Sequence, residues 1–374
     1  MKNTYEISNA DLTILNESAT TYQPLNPISA LSKNLQGIFS SLVQTLTPVK
    51  TRKVVVVGTS KFGLELSRFF TSHKNAGFKF MGFFDKDTQN TSLNVKGDIQ
   101  ALKAYCLKEG INEIYFTRPL TEKKLIAELS DFADKNFIYF RMAAPSAQVE
   151  QKAKEVATYY YDNVPVMAVR KEPLASRFNQ IVKRTFDIVF SLMVLAVLIP
   201  FVFPIIALAI KLESRGPIFF MQKRPGKKNE LFSCFKFRSM TAGHNSTEVQ
   251  ATKNDARITK VGAFLRKTSL DELPQFINVL MGDMSVVGPR PNMVSQLEYY
   301  SQYIDNYSFR HFVTPGITGL AQVNGFRGET QTLDLMEKRV EFDVQYIEKW
   351  SLWFDIKIVF LTFWNIVKGE KNAY

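Results

Sequence analysis

Cysteine is nearly absent: the 374 residues hold two, Cys106 and Cys234, far apart and outside any C-x-x-C pair. That excludes a disulfide framework and a cysteine zinc site, and suits a reducing, cytosolic setting. The first residues, MKNTYEISNADL, lack a basic stretch followed by an apolar one, so no cleaved secretory signal is expected and no export is implied. Acidic residues are in deficit, 35 against 47 Lys and Arg, leaving a formal charge of +12. A chain this basic asks for an anionic partner, whether nucleic acid, anionic lipid or a phosphorylated substrate. Apolar residues make up 45% and aromatics 13%, which excludes a disordered chain. The length predicts two domains, or three, and argues against a single small binding module.

Residues 1 to 28 are polar and without periodicity, which predicts a tail. From Ser29 to Leu46 apolar residues fall at helical spacing up to Pro48, which predicts one amphipathic helix. The segment KVVVVG (Lys53 to Gly58), a helical stretch and then FKFMGFFD open a βαβ alternation that runs to FIYFRM. Residues 51 to 145 are therefore expected to form a Rossmann-like α/β domain, with 146–179 as a linker. Its first turn keeps Gly58 and Gly63 of a G-x-G-x-x-G motif but has Ser60 at the second glycine, and Asp85 stands where a ribose-binding acid would. Loss of that glycine predicts a degenerate, regulatory or structural domain rather than a working cofactor site.

Ile188 to Ile210 is an uncharged run of 23 residues, long enough to cross a hydrocarbon layer of about 30 Å. Pro200 and Pro204 interrupt it as helix breaks, and both flanks are basic: Lys183 and Arg184 before, Lys211, Arg215, Lys223 and Arg224 after. A re-entrant helix that enters and leaves on the cytosolic face satisfies both features. All three tryptophans, Trp350, Trp353 and Trp364, lie close to the C-terminus, as in a helix at the headgroup interface or, for part of it, a core helix.

Beyond the run, charged residues fall into short motifs. In FKFRSM, strand alternation puts Lys236 and Arg238 on one face, where two cations can clamp a diphosphate. In RKTSLDELPQ, Ser269 and Glu272 have capping-box spacing, which places Asp271 at the second position of a helix, beside free N–H groups. A carboxylate so placed can attack phosphorus. Arg290 lies between Pro289 and Pro291, a rigid setting for a bidentate cation, and Gln322 and Asn324 follow in a glycine-punctuated loop suited to reading a base or sugar. The adjoining membrane segment argues against nucleic acid.

In this order, KRTFDIVFS, KLESRGPIFFMQKRPG, FKFRSM, RKTSLDELPQFINVLMGD, SVVGPRP and PGITGLAQVNG resemble the bacterial sugar transferases, monotopic phosphoglycosyl transferases acting on polyprenyl phosphate. The resemblance covers residues 180 to 374, and the ending is most similar to the undecaprenyl-phosphate glucose phosphotransferase branch. It implies a membrane-embedded mixed α+β transferase domain at the cytosolic face of the bacterial inner membrane. The implied reaction moves hexose-1-phosphate from a UDP-sugar to undecaprenyl phosphate, releasing UMP, as the first membrane step of exopolysaccharide or capsule assembly. The sugar is glucose by branch, with galactose or an N-acetylated amino sugar as alternatives.

Asp271 is then the nucleophile and Glu272 its metal or proton-handling partner, the two holding Mg²⁺. Lys236, Arg238, Arg266 and Arg290 bind phosphate, and Gln322 with Asn324 the nucleotide-sugar. Thr314 stands where relatives usually have Lys or Arg. Larger members also begin with four transmembrane helices, which this sequence does not have, and the oligomeric state stays open, a homodimer included. Two rivals come from other classes. A nucleotide-sugar oxidoreductase is disfavoured by Ser60, and a noncatalytic scaffold would have no need of Asp271 and Glu272.

Overall fold

The computed structural model describes residues 51–73, 77–86, 93–143, 158–162, 164–168, 170–241, 255–304, 306–328 and 332–368. The expected tail and amphipathic helix before residue 50 lie outside them.

Five short strands, β1 (Arg52–Val57), β2 (Phe78–Phe84), β3 (Val95–Gly97), β4 (Glu113–Phe116) and β5 (Tyr139–Ala143), pair in parallel in the order β3-β2-β1-β4-β5. That is the doubly wound arrangement expected of alternating strands and helices. The helices are α1 (Lys61–Ser72), α2 (Ile99–Glu109) and α3 (Lys123–Lys135). β1 carries Val54 to Val57, all fully buried, because a central parallel strand is covered on both faces. Residues 158–168, expected as part of a linker, instead add β6 (Thr158–Tyr161) and β7 (Val164–Ala168) antiparallel at the β5 edge.

The α/β sheet is not a loosely tethered unit. Phe137 and Tyr139 lie 5.7 and 5.3 Å, ring to ring, from Phe312 in the 3₁₀ segment Tyr307–Phe312, and Arg170 stacks 4.6 Å over Phe309. Arg170 also pairs with Asp134 at 3.0 Å.

The second half is built around one long apolar helical stretch, α4 (Arg177–Val197) and α5 (Phe203–Glu213), joined by a π-helical turn over Leu198–Val202. The turn contains Pro200, whose missing N–H and ring bulk account for the widened helix there. Among the described residues this is the one helix long and apolar enough to cross a membrane. Val189, Met193, Val197, Phe201, Ile205, Leu208 and Leu212 are all more than half exposed, a large apolar face that water does not favour.

The inner face packs in two places. Leu195 joins Phe276, Val279, Val287, Ile347 and Ile358, while Ile206 and Ile210 join Phe237 and Leu265. Around the helical stretch this half folds the hairpin β8 (Phe219–Pro225) and β9 (Leu231–Phe237), α6 (Lys260–Thr268), α7 (Gln275–Met281), the parallel pair β10 (Ser285–Val287) and β11 (Gly316–Thr318), and three further helices. Those are α8 (Val294–Tyr303), the single-turn α9 (Leu320–Val323) and α10 (Leu333–Lys349), before the chain closes with α11 (Leu352–Lys368).

Lys183 is not an exposed flanking charge. Its ammonium is buried, 2.7 Å from Asp355 Oδ2 and 2.8 Å from the Val287 carbonyl. Asp355 also accepts from Tyr346 Oη at 2.8 Å and Trp350 Nε1 at 3.2 Å. Trp350 is therefore a core residue, whereas Trp353 and Trp364 are exposed on α11 beside Phe360 and Phe363.

Candidate active site

Asp271 and Glu272 stand on a 3₁₀ turn, Leu270–Glu272, between α6 and α7. The expected capping box is not formed. Ser269 adopts the left-handed conformation (φ 60°) and ends α6, no side-chain cap bond is made, and α7 starts only at Gln275. Ser269 Oγ accepts a hydrogen bond from Arg327 instead. Asp271 consequently owes its environment to side-chain charges rather than to a helix N-terminus.

Both carboxylates are buried. Glu272 is fully engaged: Arg290 grips it in a fork, Nη1 to Oε2 at 3.0 Å and Nη2 to Oε1 at 2.5 Å, and Lys236 Nζ reaches Oε1 at 2.7 Å. Burial opposes its charge, but Arg290, Lys236 and Arg327 hold it well below the ordinary carboxylate range. Asp271 has no hydrogen-bonding or ion-pairing partner among the described residues. Burial and the neighbouring Glu272 push its carboxyl up to about 6, against the pull of Lys236, Arg266 and Arg290.

Short elements aim these cations. Lys236 projects from β9, in a hairpin fixed by Asn278, which donates to Ser233 O and accepts from Phe235 N. The Arg290 turn is set by a backbone crossing: a Cβ on Gly288 would lie 2.7 Å from Thr314 O, and one on Gly316 2.1 Å from Gly288 N, so only glycine allows β10 and β11 to meet there. Arg266, near the end of α6, donates Nε to Ser239 Oγ at 3.1 Å.

Of the expected phosphate-binding residues, Lys236, Arg266 and Arg290 act on the carboxylate pair. Arg238 is placed elsewhere, because β9 ends at Phe237. Its guanidinium donates to Arg215 O (2.9 Å), Ser214 O (2.7 Å) and Ser214 Oγ (3.0 Å), fastening the end of α5. Gln322 donates to Ile317 O and Asn324 to Leu320 O, and no described contact joins either to Asp271 or Glu272.

Two cations escaped the sequence reading. Arg327, three residues past Asn324, acts on Glu272 by charge, and half-buried Arg224, read from the sequence only as a flanking charge, feels both Arg290 and Glu272. Their positions offered a signal, an arginine one or two residues before a glycine in both KRPG and RGET.

For a divalent cation, no three His, Cys, Asp or Glu side chains converge among the described residues. With both Glu272 oxygens in ion pairs, the protein offers one or two carboxylates, a donor set that fits Mg²⁺ held largely by substrate phosphates rather than in a protein cage.

In the α/β domain the glycine turn is internally satisfied. Asp85 Oδ2 accepts from Thr59 N and Thr59 Oγ1, both at 2.8 Å, and Oδ1 pairs with Arg118. A Cβ on Gly58 (φ 102°) would lie 2.7 Å from Arg118 Cγ. The acid expected at a ribose is thus engaged by its own domain.

A buried carboxylate pair ringed by cations, beside an exposed apolar helix, is chemistry suited to phosphorylated substrates. Comparison with known proteins gives the family: the bacterial sugar transferase profile matches residues 178–369, and the chain belongs to that family. It is 43% identical over 334 residues to the UDP-glucose:undecaprenyl-phosphate glucose-1-phosphate transferase of Escherichia coli K12, covering 86% of this chain and 69% of that one. To the Xanthomonas campestris protein of the same description it is 37% identical, over 87% and 68%. To the undecaprenyl-phosphate galactose phosphotransferase of Salmonella typhimurium it is 32% identical, over 86% and 69%.

Proposed function

We propose that the protein is a phosphoglycosyl transferase that moves glucose-1-phosphate from UDP-glucose to undecaprenyl phosphate, releasing UMP and so initiating an exopolysaccharide or capsule repeat unit. The observation that carries this reading is the contrast within the carboxylate pair: Glu272 is bound by Arg290 and Lys236, while Asp271 is buried and unengaged. An Asp271 oxygen attacks the phosphorus next to the sugar, the bond to the bridging oxygen breaks, and UMP departs with that oxygen. An oxygen of undecaprenyl phosphate then attacks the same phosphorus and frees the carboxylate. Lys236, Arg266, Arg290 and Arg327 offset the phosphate charge in both steps. Asp271, with Glu272 beside it, would hold Mg²⁺ together with the substrate's phosphates, and the ion would supply further charge neutralisation.

Glucose is favoured because, among relatives matched over more than four fifths of this chain, two described as glucose transferases are 43% and 37% identical against 32% for the galactose transferase. The setting is the cytosolic face of the inner membrane, with Ile188 to Ile210 entering and leaving on one side. Ties at both ends support this: Lys183 fastens the start of the helical stretch to Asp355 and Val287, and Arg238 fastens its end at Ser214. A straight helix of 37 residues would span about 55 Å, more than a bilayer core. UMP release, assayed over a panel of UDP-sugars with undecaprenyl phosphate, tests the reading; no release with any sugar would overturn it.

A further inference from the structure

Arg290 and Arg327 both act on Glu272, and both lie on irregular backbone between regular elements. What fixes that backbone lies one layer deeper. Arg310, in the Tyr307–Phe312 segment, donates Nη2 to the carbonyl of Arg290 at 2.7 Å and forms an ion pair with Asp343 at 2.7 Å. Arg339 donates Nε to Phe326 O and Nη2 to Arg327 O, each at 3.1 Å. Arg339 and Asp343 are one turn apart on α10, and the charges of Arg310 and Arg339 both act on Asp343. All three side chains are at most 5% exposed.

Burying two cations with one anion is a poor route to stability, since apolar side chains of similar volume serve as well or better. Such apolar substitutes could not bond the two carbonyls, however, and these belong to Arg290 and Arg327. We propose that Asp343, with Arg310 and Arg339, is a positioning centre that sets the spacing of Arg290 and Arg327 and so the fit of the pocket to a nucleoside diphosphate. The proposal rests on the reading of the pocket as a nucleotide-sugar site.

The test uses the full-length protein in nanodiscs, with UDP as the binding probe. Arg339→Lys keeps every buried charge but cannot serve both carbonyls with one fork. It should weaken UDP binding by roughly tenfold, as should Asp343→Asn. KM for UDP-glucose should rise in parallel, kcat should fall with it because Arg290 and Arg327 also act during transfer, and Asp343→Glu should restore much of the affinity. A purely structural role predicts the opposite: a lowered melting temperature, with UDP affinity and KM of the folded fraction unchanged. That result in Arg339→Lys would overturn the proposal even if Asp343→Asn does not fold. Wild-type protein that binds no UDP would instead remove the underlying reading of the pocket.

Discussion

Asp271 and Glu272 are neighbours in the chain, both buried, yet their surroundings drive their carboxyl groups in opposite directions, one up to about 6 and the other well below its ordinary value. Two carboxylates separated in this way can divide the work, one reacting and one organising charge. The division follows from the cations: Arg290 and Lys236 bind Glu272 and leave Asp271 free.

Asp271→Asn should reduce turnover by about 10³-fold or more, as loss of a covalent nucleophile does. Its melting temperature should hold or rise, because a neutral amide replaces a carboxylate that burial disfavours. Intact mass spectrometry of the wild type, given UDP-glucose without acceptor, should show a phosphosugar adduct that the variant lacks. An unmodified wild type that still releases one equivalent of UMP would exclude the covalent route.

Activity should rise with pH through an acid limb near about 6, to which burial raises the Asp271 carboxyl. The sign follows from the direction of the shift: a raised carboxyl is protonated, and so not nucleophilic, below that value. Stability should run the other way. The favourable contribution of protonated Asp271 is complete below its ordinary value of 3.8 and is lost as pH rises through about 6. A pH–rate profile flat between 5 and 7 would count against Asp271 as nucleophile.

Glu272→Gln removes the anion that Arg290 and Lys236 share. Breaking a fully buried pair costs about 3–5 kcal/mol; Arg290 and Lys236 are partly exposed, so the loss is smaller, but this variant should still melt below both the wild type and Asp271→Asn. Glu272 is held below its ordinary value, and its stabilisation should therefore fade only as pH falls below 4.5. Thermal melts of the two variants side by side make the comparison.

Lys183→Met should destabilise by a similar amount, about 3–5 kcal/mol, because Asp355 loses its cation beneath the apolar stretch. Residual activity after heating in detergent measures the effect, and wild-type heat resistance would show that the pair contributes little.

In the α/β domain, Gly58→Ala should cost at least about 1 kcal/mol, from the positive φ and the approach to Arg118. NAD and UDP should give no thermal shift assignable to this domain, since Asp85 is already bound by Thr59 and Arg118. A shift that Asp85→Asn abolishes would show a working nucleotide site.

Local sequence sufficed where the deciding forces were local. The valine run before Gly58 could only be a covered parallel strand, and the length of Ile188 to Ile210 announced its apolar surface. It failed where a distant side chain decides. The Ser269 and Glu272 spacing was right for a capping box, but Arg327, 58 residues further on, binds Ser269 and Arg290 binds Glu272. Alternation put Arg238 with Lys236, yet β9 stops one residue before Arg238 and the carbonyls at the end of α5 claim it. Charge counting read Lys183 as a flank marker, because nothing near it foretells Asp355.

The Lys183 and Asp355 contact also imposes an order on biogenesis. The two residues are 172 positions apart, so at 5–20 residues per second the ribosome needs roughly 9 to 34 seconds to make the second after the first. Throughout that interval Lys183 has only the looser of its two carboxylates, Asp187 at 3.6 Å, and not Asp355 at 2.7 Å. The catalytic half can therefore close over the apolar stretch only after α11 has been made, and until then Asp187, one turn on in the same helix, is the carboxylate nearest to Lys183.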